Sequence, residues 1–279
     1  MPDERDMALL RHRAEMPLIY ASFGITMLAA ILALLATFSE EGQAIVAGSE
    51  LADEISSALL IAPFMPLFIL GSKYFAAAKA RANGVKVGPD QFPELHSLYL
   101  KIARALEMEW VPELYVVNGN GVVNAYALSC NTRRNYVVLH AEIAWLIERS
   151  PEVVEFVLAH ELGHHKLKHV SLFRILLQIV PGFLVLPQRA LSRAQEYSAD
   201  RVAVHACGTC SSSIGLLAVG PLLEHRVNHE AFLAQAAAEE RSVFVRLVHW
   251  LSSHAVNTKR LQAISQIEQF GFGRHGRLF

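Results

Sequence analysis

The sequence predicts a mainly helical protein with a small β-sheet, preceded by a hairpin of two transmembrane helices. Three observations predict this fold class. Two uncharged apolar segments lie near the N-terminus, at residues 17–38 and 55–72. Short runs rich in β-branched and aromatic residues fall between residues 113 and 140, and helical patterns dominate much of the remaining chain. Hydrophobic residues make up 53% of the sequence, which is high for a soluble protein.

The two apolar segments have the properties of membrane helices. Residues 17–38 are long enough to cross a hydrocarbon core of about 30 Å, whereas the apolar core of a signal peptide is usually only about 7–15 residues. Residues 55–72 follow, and Pro63 and Pro66 are expected to kink that second helix. We therefore predict a transmembrane hairpin over residues 17–78.

Charges beside the two segments orient this hairpin. The connecting stretch, residues 39–54, contains acidic residues and no Lys or Arg, whereas basic residues precede the first segment and follow the second. By the positive-inside rule, the N-terminal segment at residues 1–16 and the region after the hairpin both face the cytoplasm.

Periodicity assigns the remaining elements. We predict an amphipathic helix at 90–107 and strands at 113–118, 121–128 and 135–140, the first two joined across Gly119, Asn120 and Gly121. Beyond Asp200 the chain is alanine-rich and is predicted to be helical to about Ile267. The last residues, 271–279, are predicted to form a loose tail.

The stretch at residues 155–169, EFVLAHELGHHKLKH, contains an HExxH pattern. Ser150 suits a helix N-cap ahead of it, so the stretch is predicted to be helical. Residues four apart lie on one helix face, and His160 and His164 can therefore bind one metal ion together. Glu161 would then lie beside the ion, where it can act as general base towards a water molecule.

Two other groups of metal-ligand residue types are interpreted as structural. His165 and His169 repeat the four-residue spacing on another face, with Lys166 where a base would be needed. We interpret them as a solvated basic face, the alternative being a second metal site. Cys207 and Cys210 form a CxxC without a second pair, which favours reduced structural thiols over a zinc ribbon or a redox site.

A third metal ligand is expected downstream, because a catalytic zinc usually has three protein ligands and keeps one position for water or substrate. The stretch SRAQEYSADR places Glu196 and Asp200 four residues apart on a second helix. Glu196 could complete a site of two histidines and one glutamate. Asp200 could accept a hydrogen bond from the far nitrogen of a ligand histidine. The alternative is an ordinary acidic helix face.

A third apolar stretch, residues 170–187, separates the HExxH motif from Glu196. If it crossed the membrane once, Glu196 would lie on the opposite side from His160 and His164. It is too short for two spans, and Arg174 suits a broken, interfacial segment. We predict a membrane-contacting element beside the active site, the alternative being a simple core helix.

From about Gly84 to Leu261 the sequence resembles the integral-membrane gluzincin metallopeptidases, the family that includes HtpX and the CAAX prenyl proteases. VVNAYAL resembles the NAFA segment of that family, and AQEYSADR resembles its ExxxD block. The resemblance implies a zincin-like α+β domain over residues 84–270, in a bacterial inner membrane. It also implies Glu196 as a ligand of one Zn²⁺ ion per chain, with Asp200 behind the ligands.

The segment SHAVNTKRLQAI resembles a His-Pro-x-x-x-x-Arg segment of the same family, although Ala255 and Val256 replace its prolines. The resemblance implies that His254 stabilises an oxyanion and that Arg260 is a structural residue near the site. Tyr197 is a second candidate for the oxyanion role.

The NAYA segment is the predicted substrate-binding element. An exposed strand edge at Asn124, Ala125 and Tyr126 could pair with an extended peptide through main-chain hydrogen bonds. The alternative is a plain structural strand.

These observations predict a membrane-anchored zinc metalloendopeptidase at the cytoplasmic face. Its expected partners are the lipid bilayer and peptide or protein substrates, membrane proteins among them, in quality control or processing. A net charge of −1 gives no reason to expect nucleic acid. One alternative is a zinc-stabilised membrane scaffold without proteolysis, and another is CAAX-type processing of prenylated proteins.

Overall fold

The structure, a computed structural model, describes residues 8–46, 54, 57, 60–182 and 184–279. It confirms a mostly helical protein with a small sheet. The helices in chain order are α1 Glu15–Phe38, α2 Glu40–Val46, α3 Met65–Asn83, α4 Pro93–Ala105, α5 Ala141–Ala144, α6 Pro151–Lys166, α7 Leu172–Leu177, α8 Ile179–Gly182, α9 Val185–Cys207, α10 Ile214–Val219, α11 His229–Glu239, α12 Val243–Leu251 and α13 Asn257–Phe270. Short 3-10 turns lie at Ala62–Phe64, Trp145–Glu148, Ser211–Ser213 and Glu224–Arg226.

Four strands form one mixed sheet: β1 Val85–Lys86, β2 Glu113–Val117, β3 Ala125–Ser129 and β4 Asn135–His140. Their order is β1-β2-β4-β3, with β4 parallel to β2 and antiparallel to β3. All three predicted strands are present, although β3 begins at Ala125 rather than at residue 121, and β1 is additional. The central position of β4 agrees with its run of fully buried residues, Val137, Val138 and Leu139. The strands β2 and β3, which follow each other in sequence, are therefore not neighbours, and β3 lies at the sheet edge.

Helices α6 and α9 pack against each other through the centre of the molecule. Their contact is close at Gly163, where an added Cβ atom would lie 3.0 Å from the Cβ of Val202 and 3.3 Å from the Cα of Ala199. Glycine costs a helix about 1 kcal/mol relative to alanine. Here it permits the close approach of the second helix.

The first predicted span coincides with α1. Among the described residues it is the one helix long and apolar enough to cross a membrane, and little of it is buried against the protein. Its first turns contact the domain, because Ile19 packs with Leu177 and Leu191. The second predicted span, residues 55–72, lies partly outside the described residues, and its later part forms a 3-10 turn and the start of α3.

The predicted third apolar stretch, residues 170–187, forms two short helices, α7 and α8, and the start of α9. Thr26 of α1 contributes its hydroxyl to a hydrogen bond with the carbonyl of Leu177, at 3.4 Å. The stretch is therefore broken into short pieces, as predicted, and these pack against the first turns of α1.

The C-terminal tail and the first described residues of the N-terminal segment pack into the domain. The prediction of a loose tail at 271–279 is wrong, because Leu278 is buried and Gly276 lies against the ring of Tyr197. The tail is fixed through its backbone carbonyls, one of which accepts a hydrogen bond from the Tyr197 hydroxyl at 3.1 Å. Another interacts with Nε2 of His12, in the N-terminal segment, at 2.8 Å.

The region after Asp200 is also less continuous than predicted. Helix α9 ends at Cys207, and Gly208 follows with a φ of 78°. Such a left-handed residue ends a helix at little cost when it is glycine. The helices α10 to α13 are therefore separate, and the last one places Arg260 back against α9.

Candidate active site

The HExxH residues lie on α6, which begins at Pro151 as predicted. Ser150 occupies the N-cap position, but its hydroxyl donates to the Glu224 carboxylate at 2.7 Å rather than capping the helix. The middle of α6 is apolar and buried on most sides, so His160 and Glu161 are themselves 7% exposed. The helix thus presents these polar groups inside the protein.

Three ligand-type side chains converge between α6 and α9. Nε2 of His160 lies 3.1 Å from Nε2 of His164, and the Glu196 carboxylate lies 3.4 Å and 3.6 Å from these two atoms. All three ligand atoms fall within 4.8 Å of one another. Two imidazole nitrogens and a carboxylate oxygen at this separation fit a zinc ion with one position left for water or substrate.

His160 is supported by a buried ion pair. Its Nδ1 lies 2.9 Å from the Asp200 carboxylate, which also accepts two hydrogen bonds from Arg260, at 2.5 and 2.9 Å. Burial favours the neutral carboxyl, but the charge of Arg260 outweighs it and holds the pKa of Asp200 below its usual value. An ionised Asp200 fixes the far nitrogen of His160 as the protonated one and aims Nε2 at the site.

His164 is supported by a different chain of contacts. Its Nδ1 lies 2.9 Å from Nδ1 of His169, and Nε2 of His169 lies 3.2 Å from the carboxylate of Glu15 at the start of α1. The same carboxylate accepts hydrogen bonds from Ser198, at 2.5 Å, and from Arg174, at 2.9 Å. Glu15 is fully buried, and Arg11 also pairs with it.

The interpretation of His165 and His169 as a solvated basic face is therefore wrong. His169 is 5% exposed and lies behind His164. His165 makes a 2.9 Å hydrogen bond with the Tyr136 carbonyl, and burial lowers its pKa to about 4. Both histidines belong to the interior of the domain.

Glu161 faces a cleft of about 290 Å³ that is bordered by α6 and by β3. Burial raises the pKa of Glu161 to about 7, although the neighbouring His160 acts in the opposite direction. A carboxylate with a pKa near neutrality is suited to accept and return a proton.

The NAYA segment lines the same cleft. Asn124, Ala125 and Tyr126 all border it, and the strand β3 that they introduce has β4 on one side only. The carbonyl of Asn124 accepts a hydrogen bond from the His140 amide at 3.0 Å, which ties the beginning of the segment to β4.

His254 lies at the cleft mouth. Its side chain is 69% exposed, and its Nε2 lies 3.6 Å from the Glu196 carboxylate. Tyr197, the second candidate for the oxyanion role, points elsewhere, because its buried hydroxyl donates to the Arg277 carbonyl in the C-terminal tail. The structure thus brings His254 to the site and does not bring Tyr197.

Comparison with known families agrees with this geometry. The family model of peptidase family M48 matches residues 89–186 and 172–268, which together contain every residue of the site described above except Glu15 and its partner Arg11. This chain belongs to peptidase family M48. A curated relative, plastoglobule-localized metallopeptidase 48 of the Arabidopsis thaliana chloroplast, is 29% identical over 177 residues. That match covers 57% of this chain and 50% of the relative, so the chain spans about half of the relative's length. No solved structure matches.

Sequence reasoning missed two residues of this M48 site, His169 and Glu15. The chain turns back after α6, because Lys168 has a left-handed φ of 59°, and this turn brings His169 to His164. Glu15 is 154 residues away in sequence. The one available signal was an acidic residue directly before an apolar span, and that signal is not specific.

Proposed function

We propose that the chain is a membrane-anchored zinc metalloendopeptidase. The observation that carries the proposal is the convergence of His160, His164 and Glu196 beside a buried Glu161, at the open edge of a strand. Membership of a peptidase family supports hydrolysis of peptide bonds as the chemistry.

The metal-binding residues and Glu161 have separate roles in the reaction. A zinc ion held by His160, His164 and Glu196 would acidify a water molecule and polarise the scissile carbonyl. Glu161 accepts the proton of the attacking water and returns it to the leaving amine. Its buried position keeps bulk water away from this transfer and supports the near-neutral pKa that both steps need.

Substrate is held by the edge of β3. An extended peptide adds to this edge through main-chain hydrogen bonds, with Ala125 and Tyr126 opposite its backbone and Asn124 at the end of the added strand. This arrangement carries the scissile bond past Glu161 along the cleft. Main-chain pairing is independent of side chains, which supports protein substrates of varied sequence.

His254 stabilises the oxyanion of the tetrahedral intermediate. Its Nε2 lies near Glu196 at the cleft mouth, on a side chain free enough to move towards a bound peptide. Loss of one such donor typically lowers the rate about 10² to 10³-fold. Arg260 acts behind the site, through Asp200.

Anchoring by α1 holds this site near a bilayer surface. Helix α1 has the length and composition of a span, and its first turn contacts the domain that holds the site. The basic residues that flank the predicted hairpin favour the cytoplasmic face for the domain. The resemblance to HtpX favours a bacterial inner membrane, with processing or quality control of membrane proteins as the role.

Metal content and casein cleavage should be measured together on detergent-purified protein. We expect one zinc per chain in wild type and in Glu161→Gln, with cleavage lowered by about 10² to 10⁴-fold in the latter. Glu196→Ala should lose zinc and activity together. Glu155→Gln is the matched control, because it lies on α6 but pairs with Lys101 at the surface.

Normal cleavage by Glu161→Gln with zinc retained would contradict the proposal. Full zinc in all four proteins without cleavage by any would favour the scaffold function.

A further inference from the structure

Helix α12, Val243–Leu251, has an unusually one-sided character. Its large apolar residues Val243, Phe244, Leu247, Val248 and Leu251 recur at helical spacing and are all exposed, Phe244 by 79%. Plotted around the axis they occupy a single arc of about 140°. In the described part of the chain nothing packs on this face.

The opposite side of α12 packs against the domain. His249 is fully buried, with its Nε2 2.9 Å from the Arg277 carbonyl. The carbonyl of Trp250, next along the helix, accepts a hydrogen bond from Arg193 of α9 at 2.6 Å. These contacts fix the orientation of the helix in the folded domain, and its apolar face therefore points outward.

A basic cleft borders the same helix. Arg241, Arg246, Lys259 and Arg277 line a depression of about 380 Å³ together with one acidic residue, Glu240. Glu240 is paired with Arg277 at 2.6 Å, so the net charge of the cleft is strongly positive. An apolar helix face beside clustered Arg and Lys is the pattern of a helix that lies in the interface of an anionic bilayer.

The apolar surface continues towards α1. Leu184, Val185 and Leu186, at the start of α9, are about half exposed. Three residues further on, Arg189 lines a shallow cleft together with Leu251 of α12. Leu191, later on α9, packs against Ile19 in the first turns of α1. The apolar face of α12 is thus connected, through one rigid helix, to the element that enters the membrane.

We propose that α12 lies in the headgroup interface of the bilayer that α1 crosses, with its apolar face in the lipid and the basic cleft (Arg241, Arg246, Lys259 and Arg277) at anionic phospholipid headgroups. The inference rests on the proposed anchoring by α1. A second copy of the chain would need a surface complementary to the apolar face and to the basic cleft. An anionic phospholipid bilayer offers both, because its acyl chains match the apolar face and its headgroups match the positive charge. Leu251 is three residues from His254, so this docking fixes the cleft mouth against the membrane surface.

Spin-label accessibility in nanodiscs tests the proposal on the whole chain. Single cysteines are introduced as Phe244→Cys and Leu247→Cys on the apolar face, Arg246→Cys beside it, and Leu32→Cys in the second half of α1, after the three native cysteines are replaced by alanine. In discs containing phosphatidylglycerol, we expect labels at Phe244 and Leu247 to lose collisions with a water-soluble nickel complex and to retain collisions with oxygen. The Arg246 label should remain accessible to nickel.

Each outcome has a defined meaning. Nickel accessibility at Phe244 and Leu247 equal to that at Arg246, with Leu32 in lipid, would overturn the docking and leave the anchoring intact. Protection from both nickel and oxygen would overturn it in favour of a protein partner or a second copy. Nickel accessibility at Leu32 would overturn the anchoring and the docking together. Equal protection of the Phe244 and Leu247 labels in phosphatidylcholine discs would overturn the binding of anionic headgroups by the basic cleft.

Discussion

The two histidines of the candidate metal site are supported in different ways. Behind His160 stands Asp200, itself paired with Arg260, and all of these belong to the peptidase domain. Behind His164 stands His169, which depends on Glu15 at the start of the apolar helix α1. One ligand is therefore positioned by the domain alone. The other is positioned by a contact between the domain and the segment that precedes it.

This difference suggests that the site is complete only when α1 is seated on the domain. Four substitutions separate the two supports, beginning with the one of largest expected effect.

Arg260→Leu should destabilise the fold severely, because it leaves the Asp200 carboxylate buried without its partner. Breaking a buried ion pair typically costs about 3–5 kcal/mol in the free energy of unfolding. Urea unfolding of the metal-free protein measures this loss. Lys101→Leu is the control, since it breaks the exposed pair with Glu155 and should cost about 1 kcal/mol or less. Equal losses in the two variants would show that the buried pair does not hold the domain together.

Asp200→Asn and His169→Gln should each weaken zinc binding, by about 10 to 100-fold. The first removes the negative charge that orients His160, and the second removes the imidazole that orients His164. Competition with a chelator measures the affinity of the folded proteins. His205→Gln, on α9 but packed edge-to-face with Phe272 away from the site, should bind zinc normally. Normal zinc affinity of His169→Gln would show that His169 does not position His164.

Glu15→Gln should have the smallest effect on zinc affinity, below about tenfold, because it acts only through His169. A double-mutant cycle sharpens the test. Glu15→Gln and His169→Gln should be non-additive, since they interrupt one chain of contacts, whereas Glu15→Gln and Asp200→Asn should add. Additivity in both cycles would mean that Glu15 supports the fold and not the ligand.

The residues of the site that could be predicted from the sequence are those positioned by regular helices within the domain. Helix spacing placed His160, Glu161 and His164 together, and the ligand number of zinc directed attention to Glu196 and Asp200. These inferences depend on one or two helices with regular geometry. The strand β4 could be predicted at its observed bounds, because its middle residues, Tyr136 to Leu139, form the apolar run that a buried strand needs.

The remainder depended on irregular backbone or on distant contacts. The spacing of His165 and His169 predicted a shared face, but α6 ends at Lys166 and the left-handed Lys168 redirects the chain. The tail is predicted to be loose because the last residues of a domain are often poorly ordered unless they are tied down. Its packing depends on backbone carbonyls satisfied by buried side chains such as Tyr197, for which a sequence pattern gives no signal.

Gly163 carries no ligand atom, yet it affects the space available to a metal ion. It lies between the two histidines of α6 and the helix that bears Glu196, at the point where an added methyl group would meet Val202. The distance between the helices at this crossing sets how far the carboxylate stands from the two imidazoles. The space that these three groups leave for a metal ion is therefore set partly by a residue that has no side chain.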